Sequence, residues 1–480
     1  MIETPEQPAQ PGSGLLAVVS MSWPASLTML NVTVVRFIDG LMVAGVGAAA
    51  VSAQFYGGIC SFAPESFMIG LLGVVSTFVS QNLGARREQR CSQYAWAGMG
   101  VALVWAAMMM PLAAAADWGF GLLGYDESPQ AAMYFRYMVL AAPLTLGARV
   151  LEQFFYGLHR PRVVLAASLV GNALNVALNY VLIFGKLGLP AMGLEGAALG
   201  TVLAWGVQLM ILLAVFFAPS IHARYRTRRP NASWSQCRAI LRVGWPAGVQ
   251  LANDIFSWGV AIMVLVGQFG LADRAATTIL MRYLGLSFMP AVGVGIATTA
   301  LVGRAIGAGD PDLAKRRARE AVALAACWMG VCGLVFWLAR GPLIALFLRE
   351  VPPVGYSPDQ LAALQEQILT IGGRILLLAA VFQIADAVGI VYTGALRGAG
   401  DTVWPMVATM ITSWVVVVGG GVTIVSAWPE WGAAGPWIAA TAYVFILGAL
   451  VAWRFESGAW RSINLLGDTC MPRRSSPEAS

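Results

Sequence analysis

Apolar residues run through this chain in long stretches, separated by short segments rich in glycine, proline and charge. Stretches able to cross about 30 Å of hydrocarbon as helices fall at roughly 15–45, 54–80, 92–116, 131–157, 163–186, 192–218, 240–268, 276–303, 318–347, 364–394, 404–427 and 434–454. The pattern predicts an all-α membrane protein of twelve transmembrane helices. A tail at 1–14, a basic loop at 219–239 and a tail at 457–480 frame two halves, 15–218 and 240–456. Nothing substantial is left for a soluble domain.

The halves read as a duplication. Trp23-Pro24-Ala25 opens the first stretch and Trp245-Pro246-Ala247 the seventh. Gly84-Ala85-Arg86 after the second is echoed by Gly307-Ala308-Gly309 after the eighth, and Tyr156-Gly157 is matched with Thr393-Gly394. Gly193 and Gly196 with Thr201 find a looser echo in Gly432 and Gly435 with Thr441. Two six-helix lobes of the same orientation are expected, the arrangement of transporters whose site lies between repeats near the bilayer midplane.

Composition agrees: 58% of residues are hydrophobic and 11% charged, where soluble domains carry about 25% charge. The cations cluster after alternate stretches, at Arg86, Arg87 and Arg90, at Arg160 and Arg162, at Arg224 to Arg229, at Lys315 to Arg319, and at Arg397. The positive-inside rule makes those loops and both termini cytoplasmic. The net charge of +6 is thus a topology signal and implies no nucleic-acid partner. Residues 1–14 lack a basic n-region, so no cleavable signal is expected. The six cysteines form no CxxC pair, which predicts free thiols and no metal site. The glycines, 53 in number, are read mainly as close-packing positions, and most tryptophans as an interfacial belt exemplified by Trp428 and Trp431.

Against this background, acids inside the stretches stand out, because a carboxylate at the centre of a membrane helix costs roughly 2.5–3.5 kcal/mol. Asp39, Asp254 and Asp386 are the candidates for ion coupling and substrate binding. Gln250 and Ser257 share a helical face with Asp254, and Gln383 lies one turn before Asp386. These, with Asn175, Asn179 and Thr201, are candidate cavity-lining residues. Asn172, Asn175 and Asn179 form a stripe that either lines a cavity or glues helices together. Arg36, one turn before Asp39, could simply neutralise it. Arg149 and Glu152 have the spacing of a self-neutralising pair, and Glu65 is placed at most in a cavity wall.

Taken together, these residues carry a family likeness. The run from Phe37 to Gly45, the Gly84-Ala85-Arg86 and Gly307-to-Asp310 turns, the run from Gly394 to Asp401, Asn175 with Asn179, and the run from Gly196 to Thr201 resemble landmarks of multidrug and toxic compound extrusion (MATE) transporters, in order and over nearly the whole chain. The chain looks most like the bacterial NorM-type branch. The resemblance implies a V of two lobes in the bacterial inner membrane, exporting small organic cations against H+ or Na+ with no cofactor. A lipid-embedded monomer is expected. Asp39 takes the place of the first-lobe acid and Asp386 that of the tenth-helix aspartate. Asp254 replaces what is usually Glu, Phe382 a Tyr of some relatives, and Asn179 an Asp. The changes at Phe382 and Asn179 weaken a Na+ site at Asp254 and Asp386 and tilt the expectation towards H+.

Two other functional classes fit some of these residues. A lipid-linked glycan flippase of the same superfamily needs a cavity lined by cations, which Arg36, Arg282 and Arg374 could supply. An intramembrane aspartyl protease is suggested only by Gly-x-Gly-Asp at Gly307–Asp310 and Gly398–Asp401, both in basic loops where Asp caps helices.

Overall fold

The computed structural model describes residues 14–122, 124, 127–348 and 357–467. Twelve spans follow one another: α1 (Gly14–Ala44), α2 (Ala48–Gly84), α3 (Glu88–Ala114), α4 (Ser128–Gly157), α5 (Pro161–Phe184), α6 (Gly193–Phe216), α7 (Trp234–Gly267), α8 (Leu271–Gly307), α9 (Pro311–Leu338), α10 (Pro358–Ala399), α11 (Val403–Ala427) and α12 (Ala434–Glu456). All twelve predicted stretches are found, with ends shifted by a few residues. The fourth is a bent pair, Ser128–Leu140 and Ala142–Gly157, meeting at 46°. Pro143 explains the break, since it lacks an N–H and its ring crowds the carbonyl one turn back. The ninth ends at Leu338 rather than near 347, and Arg340–Phe347 forms a separate short helix. The inter-lobe loop is shorter than expected, because Ser233 and Gln236 build a capping box that starts α7 at Trp234. Ahead of it, a short helix, Pro219–Tyr225, returns to α3: Arg224 pairs with Glu88 at 2.5 Å and Ser92 donates to the Tyr225 carbonyl at 2.6 Å.

Each lobe has its own apolar core. The larger is built mainly from α2–α6, around Phe78, Phe154, Phe155 and Phe216; the other, from α7–α12, surrounds Phe382 and Trp437. The first span of each lobe crosses to the other. Ser26 of α1 donates to the Pro290 carbonyl of α8 at 2.7 Å, while a Cβ on Gly70 of α2 or Gly248 of α7 would strike the backbone of the facing helix.

The duplication is explicit in the turns. α2, α4, α8 and α10 all end in the same corner, closed by Arg87 N–H to Asn82 O, Arg160 N–H to Phe155 O, Asp310 N–H to Ala305 O and Asp401 N–H to Leu396 O at 2.8–3.0 Å. Left-handed residues turn each corner: Arg86, His159, Gly309 and Gly400, with φ of 57°, 60°, 78° and 87°. This is the Schellman arrangement. It corrects one pairing: Gly157 corresponds to Gly398, not Gly394. Gly157 packs on the Ser76 carbonyl as Gly398 packs on that of Thr299, and Ser76 and Thr299 are themselves equivalent in the Gly84–Gly307 register.

The lobes meet at the end that carries these corners. Thr77 donates to the Arg397 carbonyl and Gln81 to that of Gly398, both at 2.9 Å. Gly84 and Gly307 lie against the Arg304 and Gln81 backbones, so closely that a Cβ on either would collide.

Candidate functional site

The N-lobe encloses a cavity of about 540 Å³, lined among others by Arg36, Asp39, Glu65, Arg149, Asn175 and Thr201. Along α1 its wall runs from Thr28 to Asp39, a depth of roughly 16 Å at the helical rise. Five spans contribute polar groups, and each local sequence places one helical face towards the cavity.

Asp39 makes no ion pair with Arg36. Its Oδ1 accepts a hydrogen bond from Asn179 Nδ2 of α5 at 2.9 Å. The stripe on α5 thus continues from the carboxylate: Asn179 also donates to Asn175 Oδ1 at 3.4 Å, and Asn175 donates to Thr201 Oγ1 at 3.2 Å. Asn172, Asn175 and Thr201 face the cavity, whereas Asn179 is fully buried behind Asp39 and does not line it. Both readings of the stripe therefore hold, divided by residue. Deeper in, Arg149 pairs with Glu152 at 2.8 Å, and the second oxygen of Glu152 accepts from Gln208 at 2.9 Å. Glu65, which the sequence left without a role, lines the cavity and accepts from Thr145.

Asp254 and Asp386 lie in the other lobe, outside this cavity, close enough to each other and to Tyr443 to interact through space, and Asp254 also lies within electrostatic reach of Arg397. Asp254 Oδ1 is buried without a hydrogen-bond partner among the described residues. Two π-helical stretches, Phe256–Ala261 in α7 and Ser413–Gly420 in α11, flank the pair. Asn253 ties them together, donating to Ser413 at 2.9 Å and accepting from Trp414 at 3.1 Å. Such insertions cluster at functional sites. Trp258, on the first, faces Phe382, Trp437 and Tyr443, with ring centroids 6.1–6.5 Å away. Trp437 is thus a core residue and no part of an interfacial belt, while Trp428 and Trp431 are exposed and stacked.

The three remaining candidates lie in the other lobe. Gln250 is buried and bonded to Thr409 at 3.0 Å, and Gln383 is buried and bonded to Ser287 at 3.2 Å. Ser257 is buried within the π-helical stretch. None of the three lines the cavity. Conversely Tyr443, Asn253 and Gln208 were missed, since nothing in their local spacing marks them. The duplication does not relate the acids to one another: Val32 corresponds to Asp254 and Thr145 to Asp386 in the corrected register. The Gly-x-Gly-Asp aspartates have structural work, Asp310 capping α9 through Leu313 N–H at 2.8 Å and Asp401 pairing with Arg454 at 2.8 Å. No group of three or more His, Cys, Asp or Glu able to hold a metal occurs among the described residues, and the five described cysteines are free.

Known proteins resemble this chain over most of its length. The probable multidrug resistance protein NorM of Mesorhizobium japonicum is 28% identical over 452 residues, 92% of this chain and 93% of that one. Multidrug resistance protein MdtK of Edwardsiella ictaluri is 26% identical over 450 residues, 90% of this chain and 92% of its own. A MATE protein crystallised in complex with MaL6 superimposes with a TM-score of 0.83 at 21% identity, covering 94% of this chain and 97% of that chain. An outward-facing multidrug resistance MATE family transporter of the MOP superfamily gives 0.80 at 19% identity, with the same coverage. The MatE family profile matches residues 24–181 and 254–422, more than half of the chain and both lobes. With six spans per lobe, a polar cavity within one and buried acids in both, the chain belongs to the MatE family and is a membrane transporter, not an enzyme.

Proposed function

We propose that this protein is a multidrug exporter that moves small organic cations out of the bacterial cytoplasm across the inner membrane, in exchange for H+ or Na+, with no cofactor. The observation that carries the reading is the state of its membrane acids. Asp39 faces a cavity of drug-molecule size and forms no ion pair among the described residues, and Asp254 lies near Asp386 with no ion pair to either among the same residues. Membrane helices retain such groups where they bind charge in transit. The names of the relatives, multidrug resistance proteins, point the same way.

In this account the basic corners face the cytoplasm, so closure there leaves the cavity in communication with the outside. A proton or Na+ arriving from outside neutralises an acid and loosens the bound cation. The lobes then rock about their shared axis, the ion leaves inside, and the recharged acid attracts new substrate. Asp39 with Asn179, Asn175 and Thr201 forms the N-lobe station; Asp254, Asp386 and Tyr443 form the C-lobe station. The flippase alternative loses support, because of its three cations only Arg36 lines the cavity, and Arg282 rests over the Phe347 ring.

The test is ethidium accumulation in an efflux-deficient bacterium expressing the protein. Wild type is expected to lower accumulation, and Asp39→Asn at equal membrane abundance to abolish the effect. Undiminished efflux by the variant would remove Asp39 from the mechanism.

A further inference from the structure

The segment after α12 links the two lobes a second time. In each lobe the chain leaves its sixth span, returns to the third span of the same lobe and is pinned there by an arginine: Arg224 pairs with Glu88 of α3 at 2.5 Å, and Arg461 with Asp312 of α9 at 2.6 Å. Next to each arginine in the sequence is a buried aromatic residue, Tyr225 and Trp460. Trp460 stacks on Phe455 of α12, with ring centroids 5.1 Å apart, and donates to the Phe455 carbonyl at 2.8 Å, which holds the short 3-10 helix Ala459–Ser462 in place. After α6 the chain then crosses to the other lobe as α7. After α12, residues 463–467 cross in the opposite direction.

Two residues make the crossing. Leu465 fills the space that a Cβ would need at Gly400, the left-handed residue of the α10 corner, and its other side packs against the apolar core of the N-lobe. Arg87, in the α2–α3 corner, donates to the Leu466 carbonyl at 3.5 Å. Leu465 is therefore a wedge between a C-lobe corner and the N-lobe. Its N-lobe contacts are lost when the corners part, whereas the anchors at Trp460 and Arg461 lie wholly within the C-lobe and survive. A contact made in only one of two states shifts the balance towards that state. Tethering to α12 gives even a small contact a high effective concentration. We propose that residues 463–467 form a strap that holds the lobes closed at the end that carries the corners, and that this strap must release before that end opens. The inference rests on the exporter reading only in taking the lobes to separate there.

The test is thiol labelling, in inside-out vesicles, of the full-length protein with all six cysteines replaced and a Ser80→Cys reporter. Ser80 is buried at the closure opposite Gly303. Leu465→Ala should raise the labelling rate by about fivefold. Leu465→Met, which keeps the volume of the wedge, should label at the unsubstituted rate, and Arg87→Gln should act in the same direction as Leu465→Ala. An unchanged rate in Leu465→Ala, or a Leu465→Met rate as high as that of Leu465→Ala, would overturn the proposal. If Leu465→Ala does not reach the membrane, Arg87→Gln decides in its place, and an unchanged rate there overturns the strap. Ethidium export by the same variants keeps the two readings apart. Unchanged labelling in a variant that exports removes the strap and leaves the exporter reading intact; faster labelling in a protein that exports nothing upholds the strap and removes the exporter reading.

Discussion

Alanine at Gly84 should open the closure between the lobes at the end that carries the corners, the end proposed above to face the cytoplasm. In the structure a Cβ at Gly84 collides with the Arg304 carbonyl oxygen and would lie 2.9 Å from Ala308 N and 3.0 Å from Arg304 C. All three are backbone atoms at the end of α8, so no rotamer change can relieve the overlap and the helices must separate. Overpacking of this kind costs about 1–3 kcal/mol. The strain exists only while the lobes are closed at this end, so it shifts the closed–open balance by roughly 5- to 150-fold. The assay is thiol labelling from the cytoplasmic side, in inside-out vesicles, of a Ser80→Cys reporter in a background with all six cysteines replaced. Ser80 is fully buried, in contact range of Gly303 across the closure. Gly84→Ala should raise the labelling rate by at least fivefold, and Gly307→Ala, which meets the Gln81 backbone, should do the same. An unchanged rate in a folded variant would refute the argument that glycine is required there for closure.

Three further outcomes follow from particular contacts. Asn179→Ala removes the one side-chain hydrogen bond that Asp39 accepts among the described residues; with a charged partner this is worth about 1.5–3 kcal/mol, and ethidium efflux should fall at least tenfold without loss of membrane protein. Asn179→Asp, which brings a second carboxylate to the same place, should change the pH dependence of efflux; an identical profile would contradict a role for this pair in coupling. His159 lies outside the spans, partly buried in the α4–α5 corner with Nε2 shut off from solvent and without a hydrogen-bond partner among the described residues, and desolvation, aided by Arg304, lowers its pKa from 6.5 to about 3. The unfolded chain then binds more protons than the folded one between those values, so stability is lost as pH falls below 6.5, by about 2 kcal/mol at pH 5. His159→Asn, which tolerates the left-handed backbone, should flatten the pH 7-to-5 change in melting temperature; an equal drop in both proteins would count against the assignment.

How much of this was legible in the sequence depends on the range of the interaction. Hydrophobic runs are local, so all twelve spans could be read, and the Trp-Pro-Ala and Gly-Ala repeats revealed two lobes. The register of the Tyr156-Gly157 echo slipped by four residues because Gly394 and Gly398 lie in one glycine-rich run, and only the backbone they touch separates them. Asp39 illustrates the other limit. Helical spacing offered Arg36 as its partner, but the hydrogen bond came from Asn179, 140 positions away. Spacing likewise put Gln250 on a polar face without revealing that Thr409 waits opposite. The π-helical stretches carry no mark that sets them apart from other apolar segments, so the cluster of Trp258 with Phe382, Trp437 and Tyr443 could not be anticipated.

Coupled export is the central claim, and reconstitution addresses it most directly. Purified protein in proteoliposomes loaded with ethidium would be given an imposed ΔpH or ΔNa+ separately, with wild type, Asp39→Asn and Asp386→Asn compared. Wild type is expected to show gradient-driven ethidium efflux under at least one gradient, which names the coupling ion, and both variants are expected to lose it. Absence of efflux under either gradient, or efflux that continues unchanged in both variants, would contradict it.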